Sequence, residues 1–117
     1  MSKTLTIFHN TACGTSRRTL ALIQEAGHEP DVIDYLKTGW TRAQLEGLLS
    51  AMGLNPRDIL REKSPPAEAL GLYEASATDD QILAAMVDHP VLVNRPIVIS
   101  PKGTRLCRPA ERVLELL

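Results

Sequence analysis

Near its start the chain switches between two apolar patterns, and the order of the switch limits the folds open to it. "TLTIF" (Thr4–Phe8) is short, apolar and β-branched, and reads as a buried strand. Leu20, Leu22 and Ile23 then mark a helical face that stops at Gly27. Pro30 blocks further helix, and "DVIDYL" (Asp31–Leu36) reads as a second strand. Two strands joined by a helix of about a dozen residues cannot form a hairpin, and the crossover should make a right-handed parallel pair.

The middle is helical. "TRAQ" (Thr41–Gln44) looks like a capping box ahead of Leu45, Leu48, Leu49 and Met52, with Gly53 as the stop. "NPRDILRE" suggests a short helix with Asn55 as cap and Pro56 in its first position. "TDDQ" (Thr78–Gln81) repeats the box before Ile82, Leu83 and Met86, and His89-Pro90 closes that segment. Strand character returns at "PIVIS" (Pro96–Ser100). "PKG" is turn chemistry, so "TRLC" (Thr104–Cys107) should pair antiparallel with that strand. "PAERVLELL" reads as a last helix opened by Pro109, burying Val113, Leu114 and Leu117. The expected fold is α/β: a mixed sheet of about four strands in the order βαβ, helical insert, ββα, flanked by helices. One domain over residues 1–117 is expected, with the insertion at about 40–90.

Composition removes several functions. A broad nucleic-acid footprint would make the domain basic, and the formal net charge is −1. No stretch is long and apolar enough to span a bilayer, and "MSKTLTIFHN" has no signal-peptide core. The cytoplasm is therefore the expected compartment, with no membrane partner. Two cysteines, Cys13 and Cys107, are too few for a disulfide scaffold. His9, His28 and His89 form no ligand-spaced cluster with them, so no metal site is expected.

Cys13 stands in "HNTACGTSRRTL" (His9–Leu20), at the junction of the first strand and the first helix. A helix start points unpaired N–H groups and the positive end of its dipole at the turn. A thiolate there is stabilised, its pKa falls, and the same amides can hold an anion. A lone cysteine is often just a small buried hydrophobe. Against that stand its polar neighbours Asn10, Thr11, Gly14, Thr15 and Ser16, and its place where α/β folds put ligands. Cys107 ends an apolar strand, and packing is the better account of it. A tyrosine-phosphatase loop needs arginine six positions after its cysteine, where this chain has Thr19. A dithiol oxidoreductase needs cysteine at the third, where it has Ser16.

Arg95 precedes Pro96 at the start of the third strand, and Arg108 precedes Pro109 at the end of the fourth. Each X-Pro context keeps the preceding backbone extended. Guanidinium groups grip tetrahedral oxyanions bidentately. Solvated surface charge is the competing account of both.

"HNTACGTSRRTL", "NRPIV" and "GTRLCRP", supported by "TDDQ" and "HPVLVNRP", make the chain resemble the glutaredoxin-coupled arsenate reductases of the ArsC family along essentially its whole length. The resemblance implies a thioredoxin-like fold. It implies that Cys13 is the nucleophile that attacks arsenate, giving a thiol-arsenate adduct. Arg61, Arg95 and Arg108 match the arginines that hold the oxyanion, although Arg61 lies in "DILREKSPP", a region that reads as helical. His9 and Ser16 match residues that favour the thiolate. Pro96 falls where thioredoxin-like folds carry a cis proline. The resemblance further implies no bound cofactor, glutathione as co-substrate and glutaredoxin as the protein partner that clears the Cys13–glutathione disulfide. A monomer is the expected state. Two other readings stay open: a family member that binds glutathione or does thiol redox work without arsenate turnover, and a small transcription-regulating protein that binds a partner. Arg95 and Arg108 weigh against the first, and Ser16, where a thiol switch would want cysteine, against the second.

Overall fold

The computed structural model describes residues 5–61 and 65–117. It divides into two compact units: Met1–Thr38 with Arg95–Leu117, and Gly39–Asn94.

The first unit holds strands β1 (Thr6–His9), β2 (Asp31–Asp34), β3 (Ile97–Ser100) and β4 (Gly103–Leu106) in one sheet, in the order β2-β1-β3-β4. β1 and β2 run parallel, joined through helix α1 (Gly14–Glu25), as the strand–helix–strand pattern requires. β3 pairs antiparallel with both β1 and β4, so the sheet is mixed, as expected. β1 extends one residue beyond its anticipated end, to His9, while Thr4 lies outside the described residues. β2 is shorter than expected. The Asp34 carboxylate accepts the amide of Leu36 at 3.2 Å, an Asx turn that bends the chain into the single helical turn α2 (Tyr35–Thr38).

Leu5, Ile7, Ile23, Val98, Cys107, Val113 and Leu116 form one buried cluster. Ile7 and Val98 are register partners, and Ile23 caps them from α1. The last helix, Ala110–Leu116, is 3₁₀ rather than α. Its three residues per turn put Ala110, Val113 and Leu116 on the buried face. Leu114, expected inside from α-helical spacing, is 54% exposed, and Leu117 is only partly buried.

The second unit is helical: α3 (Arg42–Met52), α4 (Pro65–Ala69), α5 (Asp79–Asp88) and short 3₁₀ turns at Pro56–Ile59 and Pro90–Leu92. The Thr41 hydroxyl accepts the Gln44 amide at 3.1 Å, and Gly53 ends α3 at φ 68°. At α5 the box is reciprocal: Thr78 and Gln81 each accept the other's backbone N–H. The Arg57 guanidinium donates to the carbonyls of Leu72, Glu74 and Ala77, which fixes the loop ahead of α5. Among the described residues no helix is long and apolar enough to cross a membrane.

Candidate active site

β1 ends at His9, and the chain makes one tight turn before α1 begins at Gly14. The carbonyl of Asn10 accepts the Cys13 amide at 3.0 Å, closing a four-residue turn. Cys13 is then the N-cap of α1, with its carbonyl accepting the amide of Arg17. The thiol is half-buried.

The hairpin supplies the arginines. Ile97 faces Leu106, and continuing that antiparallel register sets Pro96 opposite Cys107 and Arg95 opposite Arg108. The pairing does continue: the Cys107 amide donates to the Pro96 carbonyl at 2.9 Å, and Arg108 Nη1 donates to the Arg95 carbonyl at 2.9 Å. From there Arg108 Nη1 also reaches Cys13 Sγ, at 3.9 Å. Arg95 is buried and hydrogen-bonds the same sulfur. The Arg95–Pro96 peptide is cis, and so is Arg108–Pro109.

Burial pushes the Cys13 thiol up. The Ser16 amide, the Arg95 and Arg108 guanidinium groups and the Thr15 amide outweigh it, and the pKa lies below the ordinary cysteine value. Alkylation of Cys13 by iodoacetamide should therefore reach half its maximal rate below the usual thiol midpoint of about 8.5. A rate–pH curve centred on that value would contradict the geometry.

His9 and Ser16 sit behind the turn, both buried. Ser16 Oγ lies 2.5 Å from His9 Nδ1 and accepts the Asn10 amide at 3.0 Å. Burial lowers the His9 pKa; Asp34, its register partner on β2, raises it, and Arg17 lowers it. With its pKa below 6.5 the ring is neutral at pH 7, so it meets Ser16 through a hydrogen bond and not as a cation.

Cys107 is fully buried, and burial pushes its thiol up to about 12. Such a group stays protonated at neutral pH, and its sulfur makes a long contact, 3.8 Å, to the Arg105 carbonyl. Cys107→Ser should keep most of the wild-type turnover. It should also melt several degrees lower, since an under-bonded buried hydroxyl costs about 1–3 kcal/mol. A folded but inactive Cys107→Ser would point instead to a relay between the two cysteines.

Arg61 belongs to the other unit. The sequence places it in a helix, but it follows the 3₁₀ turn outside any helix or strand, one residue past the bridge between Leu60 and Val93. Its amide donates to the Leu92 carbonyl at 2.8 Å and its carbonyl accepts the Tyr73 hydroxyl at 2.5 Å, so its backbone is fixed on both sides.

A mixed sheet in this order, with a half-buried thiol at the first helix start and Arg108 reaching it from the hairpin, defines a thioredoxin-like protein with a thiol-and-arginine site. The chain belongs to the ArsC family, whose model matches residues 8–116. It is 54% identical over 114 residues to an arsenate reductase of Rhizobium meliloti, covering 97% of this chain and 81% of that one. Over 113 residues it is 53% identical to an arsenate reductase of Escherichia coli, covering 97% and 80%. The solved structure of an arsenate reductase from Vibrio cholerae superposes with a TM-score of 0.93 at 40% identity, covering all of both chains.

Sequence reasoning missed two features of the site. Asn10 reads from the sequence as a polar neighbour of Cys13, but asparagine also favours the first position of a turn. The facing of Arg95 and Arg108 follows from counting outward from the "PKG" turn.

Proposed function

We propose that the chain reduces arsenate to arsenite through Cys13, with glutathione and glutaredoxin as reductants. The observation that carries this reading is the convergence of Arg95 and Arg108 on one depressed-pKa thiol. Like charges opposite each other on a hairpin are destabilising, and Arg95 is buried as well. A tetrahedral oxyanion above the sulfur would offset both costs. The names of relatives at 53–54% identity support arsenate as that oxyanion.

The Cys13 thiolate attacks the arsenic atom, and one arsenate oxygen leaves as water after taking up protons. Arg95 and Arg108 hold the remaining oxygens against the negative charge of the pentavalent centre. The glutathione thiolate then attacks Cys13 Sγ. The sulfur–arsenic bonding pair stays on arsenic, reducing it from the pentavalent to the trivalent state, and arsenite departs. Cys13 is left as a mixed disulfide with glutathione. Ser16, where dithiol enzymes carry a second cysteine, has no sulfur to resolve it, so glutaredoxin is the proposed second partner. Arg61 is proposed as the third arginine on the oxyanion. No bound cofactor is needed, because both electrons come from thiols. A monomer in the cytoplasm, where thiols stay reduced, suits this chemistry.

The test is NADPH oxidation by the chain with glutathione, glutaredoxin and glutathione reductase. Oxidation that depends on arsenate supports the reading. Full mixed-disulfide formation with no arsenate dependence would move the chain to thiol-redox work alone.

A further inference from the structure

We propose that Asn10 is the positioning residue of the site: its side chain and backbone together fix the turn that holds the Cys13 sulfur against the α1 amides and the two guanidinium groups. Asn10 is almost wholly buried, at 2% exposure, though it sits in a surface-facing turn. All of its polar groups are engaged. Oδ1 accepts the Ala12 amide at 2.9 Å, an Asx turn that bends the chain two residues on. The carbonyl accepts the Cys13 amide at 3.0 Å, fixing the thiol's own backbone nitrogen. The Asn10 amide donates to Ser16 Oγ at 3.0 Å, so the residue before the turn is tied to the first turn of α1. Nδ2 faces the hydroxyl of the buried Tyr35 at 3.5 Å, a long contact that selects which end of the carboxamide points at Ala12.

The consequence is geometric. Hydrogen bonds to the thiolate fall off steeply with misalignment. The amides that lower the Cys13 pKa belong to Thr15 and Ser16, on the helix, whereas the sulfur hangs from the turn. Asn10 bonds to both. Without its oxygen the Ala12 amide has no fixed acceptor, and the turn can rotate Cys13 away from those amides.

The inference rests on Cys13 being the reactive thiol, and its test needs no arsenate, so it can fail or hold whatever the coupled assay shows. The rate of iodoacetamide alkylation of Cys13 against pH is measured for wild type, Asn10→Ala and Asn10→Ser, with Tm recorded for each. Asn10→Ala should raise the midpoint by roughly one pH unit, slowing alkylation at pH 7 by about five- to tenfold. Asn10→Ser keeps a weaker acceptor for the same amide and should fall between the two. A residue that only added stability would lower Tm and leave the midpoint alone. A folded Asn10→Ala with the wild-type midpoint overturns the proposal. If Asn10→Ala does not fold, Asn10→Ser decides: a midpoint above that of wild type upholds it and a wild-type midpoint overturns it.

Discussion

Cys13→Ser should fold normally and show no arsenate turnover in the coupled assay. Serine is among the best N-cap residues, and position 13 is the N-cap of α1, so the helix loses nothing and its Tm should match or exceed that of wild type. The chemistry does lose everything. A hydroxyl is not ionised at neutral pH even beside two guanidinium groups, and no serine can form the mixed disulfide whose formation from two thiols gives arsenic its electrons. Because fold and function separate so cleanly here, residual activity in a well-folded Cys13→Ser protein would exclude Cys13 as the nucleophile.

Arg95→Ala should lower kcat/KM for arsenate about 10- to 100-fold. A charged hydrogen bond contributes roughly 1.5–3 kcal/mol, and each 1.4 kcal/mol is about a factor of ten. Arg95→Lys should recover only part of the loss, since ammonium keeps the charge and not the planar fork. Alkylation of Cys13 should slow much less than turnover, because the Ser16 and Thr15 amides and Arg108 still favour the thiolate. Both rates can be read from the same purified variant. Unchanged arsenate turnover in Arg95→Ala would remove the oxyanion role.

Much of the sheet unit was legible because its signals are local. "TLTIF", the Gly27 stop and "DVIDYL" dictate a parallel pair, and "PKG" dictates a hairpin. The errors fall where two local signals compete. "DVIDYL" has the apolar alternation of a longer strand, but the Asp34 carboxylate captures the Leu36 amide and starts a helical turn. "PAERVLELL" fits α spacing, yet the chain tightens to 3₁₀ and exchanges Leu114 for Leu116 on the buried face.

The site was legible in its residue types and less so in its wiring. Cys13 stood out because its neighbours are polar at a strand-to-helix junction. That Arg108 hydrogen-bonds the sulfur across 95 positions of sequence needs the sheet order, which puts β3 beside β1. The lowering of the His9 pKa comes first from burial, which no pattern at residues 9–16 reveals.

The antiparallel ladder between β3 and β4 makes Pro101 and Lys102 remote partners in the chemistry, though they lie at the opposite end of the hairpin from the sulfur. Side chains alternate faces along a strand, so adding or removing one residue in that turn would slip the ladder and swing the Arg108 guanidinium to the other side of the sheet. Substituting Lys102 by another residue changes no spacing and leaves the alignment intact. The turn is thus fixed in length, a ruler whose far end measures the distance from guanidinium to thiolate.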